Sequence, residues 1–214
     1  MGKYLRIIVV SIFMLSIVSC AIFLGTPMLG IKINSANNQI QAEEFFITFP
    51  INECSRLEKS EGWYLTENDI DKEIIIVKKG GVFFYQMMFL YNNVYDISQN
   101  KNISIENIAN NYIDYELTIM EEEGVKKNLY TLKNVKKFKE EVDGNKLYGL
   151  NYISFTNEIA SKSKMYLYFP FPDKTKFIVG HYSIKYPIQY YSPKYDDNFE
   201  YLERFKQALI SINN

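Results

Sequence analysis

The residues around Gly80-Gly81 constrain this chain more than any other stretch. On one side, residues 73–79 (EIIIVKK) begin with a β-branched apolar run; on the other, residues 82–91 (VFFYQMMFLY) are apolar almost without a break. Two such runs divided by a diglycine predict a β-hairpin, because glycine supplies the positive φ that tight hairpin turns require. A strand without a polar face must also be covered on both sides. The second arm is therefore predicted to lie inside a sheet that carries other elements on each face.

The chain supplies those elements in order. Residues 45–50 (FFITFP) read as a short strand closed by proline, and Gly62-Trp63-Tyr64 as part of a loop. Over residues 103–123, Ile105, Ile108, Tyr112, Tyr115 and Ile119 recur at helical intervals, with Ser104 placed as N-cap and Gly124 at the end. Strand character returns over residues 129–135, 136–142 and 146–155, with Asp143-Gly144 as a turn dipeptide. Residues 165–169 and 177–184 read as a further hairpin across Pro170-Phe171-Pro172-Asp173. A terminal helix puts Phe199, Leu202, Phe205, Leu209 and Ile212 on one face; Asp196-Asp197-Asn198 opens it with the negative charge that a helix N-terminus favours. The order β-β-β-α-β-β-β-β-α predicts an α+β fold. Its antiparallel sheet has about six to seven strands, with one middle and one C-terminal helix packed on it.

The N-terminus carries an address. Lys3 and Arg6 precede an apolar run over residues 7–19, the layout of a secretory signal peptide. The run ends Ile17-Val18-Ser19-Cys20, which resembles the bacterial lipobox. That resemblance implies cleavage before Cys20, acylation of its sulfur (palmitate) and attachment to a membrane through lipid. Two other readings stay open: an uncleaved helix over residues 7–29, long enough to span a bilayer, and ordinary signal cleavage. In the lipid-anchored and uncleaved cases the positive charges leave the rest of the chain outside the cytoplasm, anchored to a bacterial membrane on its periplasmic face or at the cell surface. The predicted organisation is a signal peptide over 1–19, a lipid anchor and linker over 20–44, and a single α+β domain over 45–214. Residues 30–44 read as linker because they are polar after their first positions and carry no apolar period.

Composition and motifs exclude several functions. The formal net charge is −1, with no sustained basic block, so nucleic acid is not an expected partner. A hydrophobic content of 47% is too high for a disordered chain. Two cysteines and one histidine cannot build a disulfide scaffold or a Cys/His zinc site. With Cys20 acylated, Cys54 has no partner in its own chain, and nothing local to it supports thiolate activation by His181. His181 follows Gly180 inside a strand and reads as structural. Glu121-Glu122-Glu123 lies where a helix end disfavours negative charge, but lacks the ordered oxygen spacing of a calcium loop. No metal and no cofactor are expected. Gly-x-Ser-x-Gly, phosphate-cradling glycine loops and His-Glu-x-x-His are all missing from the sequence, so the chain reads as a non-enzyme.

One segment reads as a partner surface. Residues 181–195 (HYSIKYPIQYYSPKY) hold five tyrosines, whose apolar rings and polar tips suit protein or glycan contact. Tyr186, Tyr190, Tyr191 and Tyr195, with Lys194, are the candidate binding residues. The alternation of Tyr182, Ile184 and Tyr186 also fits one face of the last strand.

Three features together resemble the PsbP-like family: Phe46-Ile47-Thr48-Phe49-Pro50 followed by Gly62-Trp63, the middle helix of residues 103–120, and the closing Ala208-Leu209-Ile210-Ser211-Ile212. The family includes photosystem accessory proteins, a Ran-binding factor and DcrB-type envelope lipoproteins. The resemblance covers residues 45–214 and implies the α+β sandwich described above, but no particular activity, because that fold hosts none in common. The function expected is that of a lipid-anchored bacterial envelope protein, non-catalytic, that binds another envelope component. The alternatives are a periplasmic immunity lipoprotein that neutralises a toxin protein, and a hydrolase whose site assembles only in three dimensions.

Overall fold

A computed structural model describes residues 32–34, 37–42, 45–49, 54–55, 63–65, 73–93, 103–170, 176–195 and 199–212. Five short strands open the chain: β1 (Lys32–Asn34), β2 (Gln39–Gln41), β3 (Phe46–Thr48), β4 (Cys54–Ser55) and β5 (Trp63–Leu65). The hairpin arms β6 (Glu73–Gly80) and β7 (Phe83–Asn93) follow, then helix α1 (Ile105–Ile119). Next come β8 (Thr131–Val142), β9 (Asn145–Phe155), β10 (Ile159–Tyr168), β11 (Lys176–Pro187) and helix α2 (Leu202–Ile210). The fold is α+β. Six long strands in the order β6-β7-β11-β10-β9-β8 pair antiparallel throughout, and β5 and β4 extend the β6 edge. β1, β2 and β3 form a separate three-stranded antiparallel sheet.

The diglycine hairpin behaves as its composition requires. Residues 85–89 of β7 are all buried, and β7 pairs with β6 on one side and β11 on the other. Ser104 caps α1 by accepting from the Asn107 amide at 3.2 Å. Asp143 and Gly144 both take positive φ, +48° and +77°, and turn the chain from β8 into β9.

Four expectations need correction. The stretch expected to be a linker, residues 30–44, contains β1 and β2, and Ile40 and Ala42 lie in the core. Asn38, at φ +53°, makes the turn before β2, and strands of three residues are too short to show a period. Trp63 and Tyr64, expected in a loop, belong to β5 and pair with β6. The two strands expected over 129–142 are one, bent by an irregularity between Lys133 and Lys136, where Asn134 takes φ +54°. β10 and β11 each run further than expected, to 10 and 12 residues.

The two helices cover opposite faces of the sheet. α1 packs Ile108, Ala109, Tyr112 and Ile113 against Tyr148, Leu150, Met165, Leu167, Phe177 and Val179. α2 packs Phe205, Ala208 and Leu209 on the other face, where Phe45, Ile47 and Phe49 around β3 join the same core. Gly180 lets α2 approach; a Cβ there would meet the Phe205 ring at 2.7 Å. Phe205 stacks on Phe89 with ring centroids 5.2 Å apart, and β3 is tied to the end of α2 by the Thr48 amide donating to Ser211 Oγ at 2.7 Å. The predicted helix face of Phe205, Leu209 and Ile212 is fully buried, with Phe199 and Leu202 half-buried at its rim.

Candidate functional site

On the α1 face, apolar order stops where the helix does. Register sets the change. Gln86, Ser183, Ser163 and Tyr152 lie side by side on β7, β11, β10 and β9, and Lys185, Ser161 and Ser154 form the next row outward. His181 stands one row inward, between Met88 and Met165. Above these rows the helix changes character: after Ile119 it widens into a π-type turn, Met120–Val125. Such turns recur at functional sites because they displace side chains from the ordinary helical path. Tyr130 locks the turn by donating its hydroxyl to Met120 O at 3.1 Å, and Gly124 leaves room for that ring, since a Cβ there would overlap it.

Four of the polar groups, Tyr152, His181, Ser163 and Ser161, are connected by hydrogen bonds. Tyr152 OH lies 2.8 Å from His181 Nε2, and Tyr152 also bonds to Ser163, which lies 3.3 Å from Ser161. Burial pushes the Tyr152 phenol up, so it keeps its proton and can donate to His181 while accepting from Ser163. Burial, with Lys185 as a second cause, pulls His181 down to about 3, so the ring is neutral. Burial also lowers Lys185 to about 8, and its ammonium donates to Gln86 Oε1 at 2.9 Å. Ser183 is fully buried, and its Oγ has no hydrogen-bond partner among the described residues.

Chemically, the cluster offers hydroxyls, one amide and one partly desolvated cation. A histidine held near 3 is a weak base at neutral pH, so the arrangement suits holding a ligand better than moving its protons. Among the described residues no group of three or more His, Cys, Asp or Glu side chains could hold a metal ion.

The residues singled out in the sequence do not share one exposed patch. Tyr186 is core, 3% exposed. Tyr191 is half-buried: it stacks on Tyr186 at 6.2 Å and meets Phe155 edge-on at 4.8 Å. Tyr190 is 50% exposed and Lys194 is exposed. One shared exposed patch is thus ruled out for Tyr186, because its ring follows the strand alternation into the α2-side core. The side chain of Tyr195, Cys20, the side chain of Cys54 and the Asp196-Asp197 pair lie outside the described residues. At the end of α1, Glu122 and Glu123 pair with Lys126 and Lys127, which gives a solvated, neutralised helix end.

Sequence reasoning missed the serines. Ser161-Lys162-Ser163-Lys164 looks like a loop because neither alternating set is apolar. In the fold, Lys162 faces the α2 side, buried, with its ammonium 5.1 Å from the centre of the Phe199 ring, and the serines face the α1 side. The signal that was legible is the strict alternation of polar and apolar residues from His181 to Tyr186.

The fold and site define a class: an antiparallel sheet closed by a helix on each face, with a polar niche at the end of one helix. No family model matches the chain, and no curated protein matches it. Among solved structures it is similar to cyanobacterial PsbP (CyanoP) from Synechocystis sp. PCC 6803. There the TM-score is 0.44 at 10% identity, over 91% of this chain and 97% of that one. It is also similar to PA94 from Pseudomonas aeruginosa, a protein of unknown function described as a putative regulator. That match has a TM-score of 0.35 at 11% identity, over 85% of this chain and 95% of the other.

Proposed function

We propose that this chain is a membrane-tethered, extracytoplasmic binding protein of bacterial type whose PsbP-like domain works without catalysis. The PsbP-like arrangement is supported by the strand closed at Pro50, the middle helix and the closing helix. The tether is supported by Lys3 and Arg6, the apolar run over 7–19 and the cysteine of Ile17-Val18-Ser19-Cys20. Among the described residues no helix is long and apolar enough to cross a membrane, and the N-terminal run lies outside them.

One observation carries the binding reading. The α1 face ends in a partly buried cluster of hydroxyls and an amide around His181 and Lys185, a costly arrangement in a small domain unless something uses it. Its histidine is neutral and weakly basic, which favours recognition over proton transfer.

Cys20→Ala tests the tether. The wild-type chain should incorporate labelled palmitate and migrate as the processed form in bacterial membranes. The variant should lose the label and accumulate as precursor. Unchanged labelling and migration would sink the lipid tether.

A further inference from the structure

We propose that Ser163, Ser183, Gln86 and Lys185 form a binding site for a small oxyanion, a carboxylate or a phosphate group. The inference deepens the binding reading above by naming what the niche holds. Four observations support it.

The first is register. Ser183 has Gln86 as its neighbour on β7 and Ser163 on β10, and Lys185 follows two residues along β11 on the same face. Two hydroxyls, an amide and an ammonium are thus gathered within two rows of one sheet. The second is the state of Ser183. Its hydroxyl is fully buried with no hydrogen-bond partner among the described residues, although an orphaned buried donor is unfavourable in a folded protein.

The third is the contact made by Lys185. Its ammonium donates to the neutral carbonyl oxygen of Gln86, and these two side chains flank Ser183 along the strand and across it. An oxyanion at this point could take the place of the amide oxygen on the ammonium and accept from the Ser183 hydroxyl as well. The exchange replaces a neutral acceptor with an ionised one, so that both partners of the hydrogen bond carry charge. The fourth is the electrostatic setting. Burial lowers the Lys185 pKa. An anion would raise it again, as a nearby opposite charge does for a desolvated amine.

The chemistry is shared by a free metabolite or inorganic anion and by an anionic lipid headgroup, so the test separates the two sources. The full-length protein in detergent is treated with a small amine-reactive ester in sodium chloride, sodium phosphate or sodium acetate at equal ionic strength. Acylation of each lysine is followed by peptide mass spectrometry. Phosphate or acetate should slow acylation of Lys185 by roughly five- to tenfold relative to chloride, the equivalent of one ordinary net hydrogen bond. Exposed Lys136 serves as the internal reference and should not change.

In the Ser183→Ala variant, a conservative change that preserves the strand, most of that protection should vanish. A parallel arm replaces the salts with phosphatidylglycerol vesicles, using phosphatidylcholine vesicles as the control. Protection by free anions supports a soluble ligand, and protection by phosphatidylglycerol alone supports a headgroup. Equal acylation of Lys185 in all conditions overturns the site, and undiminished protection in Ser183→Ala overturns the role of Ser183. Neither result touches the Cys20 tether, which is read by palmitate labelling.

Discussion

Strand β11 shows two kinds of protein architecture back to back. Tyr182, Ile184 and Tyr186 point to the α2 side and are all buried in one aromatic core. The alternating residues His181, Ser183 and Lys185 point to the α1 side, where His181 bonds to Tyr152, Lys185 bonds to Gln86, and the Ser183 hydroxyl has no hydrogen-bond partner among the described residues. The α2 face gains from burying apolar area, roughly 1.5–3 kcal/mol for each large side chain. The polar end of the α1 face gains little of this and bears the desolvation of a histidine, a lysine and several hydroxyls. The apolar parts of both faces hold the fold together, and the polar end of the α1 face spends part of that stability. The contrast predicts where the chain tolerates change, and it can be broken at either face.

The largest effect should come from the α2 face. Phe205 is fully buried, stacks on Phe89 and lies 5.6–5.7 Å, centroid to centroid, from Tyr166 and Tyr182. Phe205→Ala should cost about 3–5 kcal/mol in denaturant unfolding, the range for removing a buried aromatic ring. A loss within measurement error would mean that α2 does not anchor this face, and the comparison would collapse.

The next effect sharpens the polar side, because it appears only with acid. His181 binds its proton at about 3 in the fold and near 6.5 when unfolded. Between those values the unfolded chain holds more protons, so this contribution is complete above pH 6.5 and lost as pH falls towards 3. The loss should be on the order of 2–4 kcal/mol. It is read as the difference in urea midpoint against pH between the wild type and His181→Gln, whose amide can still bond to Tyr152. Carboxylates titrate in both proteins and cancel in the difference. Parallel curves for the two proteins would show that His181 is not desolvated in the fold.

The same contrast explains what was legible in the sequence. The hairpin of β6 and β7, helix α1 and the apolar face of α2 could be read because a long apolar run or a strong helical period accompanies each of them. β1 and β2 could not, because three-residue strands joined through Asn37-Asn38 look like a polar linker; Ile40 enters the core through tertiary packing alone. Ser161-Lys162-Ser163-Lys164 hid a strand for a different reason. Its buried lysine uses an aromatic ring, Phe199, where an apolar side chain would be expected. The niche was harder still. It draws residues from β7, β9, β10 and β11, and only their register brings Gln86, Ser183, Ser163 and Tyr152 into one row. Of its members, His181 alone was singled out from the sequence, as a structural histidine.

The smallest expected effect lies just beyond β11, where the chain leaves both faces. Tyr190 closes the short turn Ile188–Tyr190 and is 50% exposed, whereas Tyr186, four residues earlier, is core. Tyr191 rests between them in character, held by Tyr186 and Phe155. Tyr190→Ala should therefore change stability by no more than about 0.5 kcal/mol, as surface substitutions do. Tyr186→Ala, by contrast, should cost several times that, because it opens a cavity beside Phe83 and Tyr191. If this end of the molecule touches a partner, Tyr190→Ala should weaken capture by about 1 kcal/mol or more while the fold stays intact. Equal losses of stability in the two variants would place Tyr190 in the core and remove the segment as a surface. Intact folding with unchanged capture would leave these tyrosines a purely structural role, closing the strand that carries both faces.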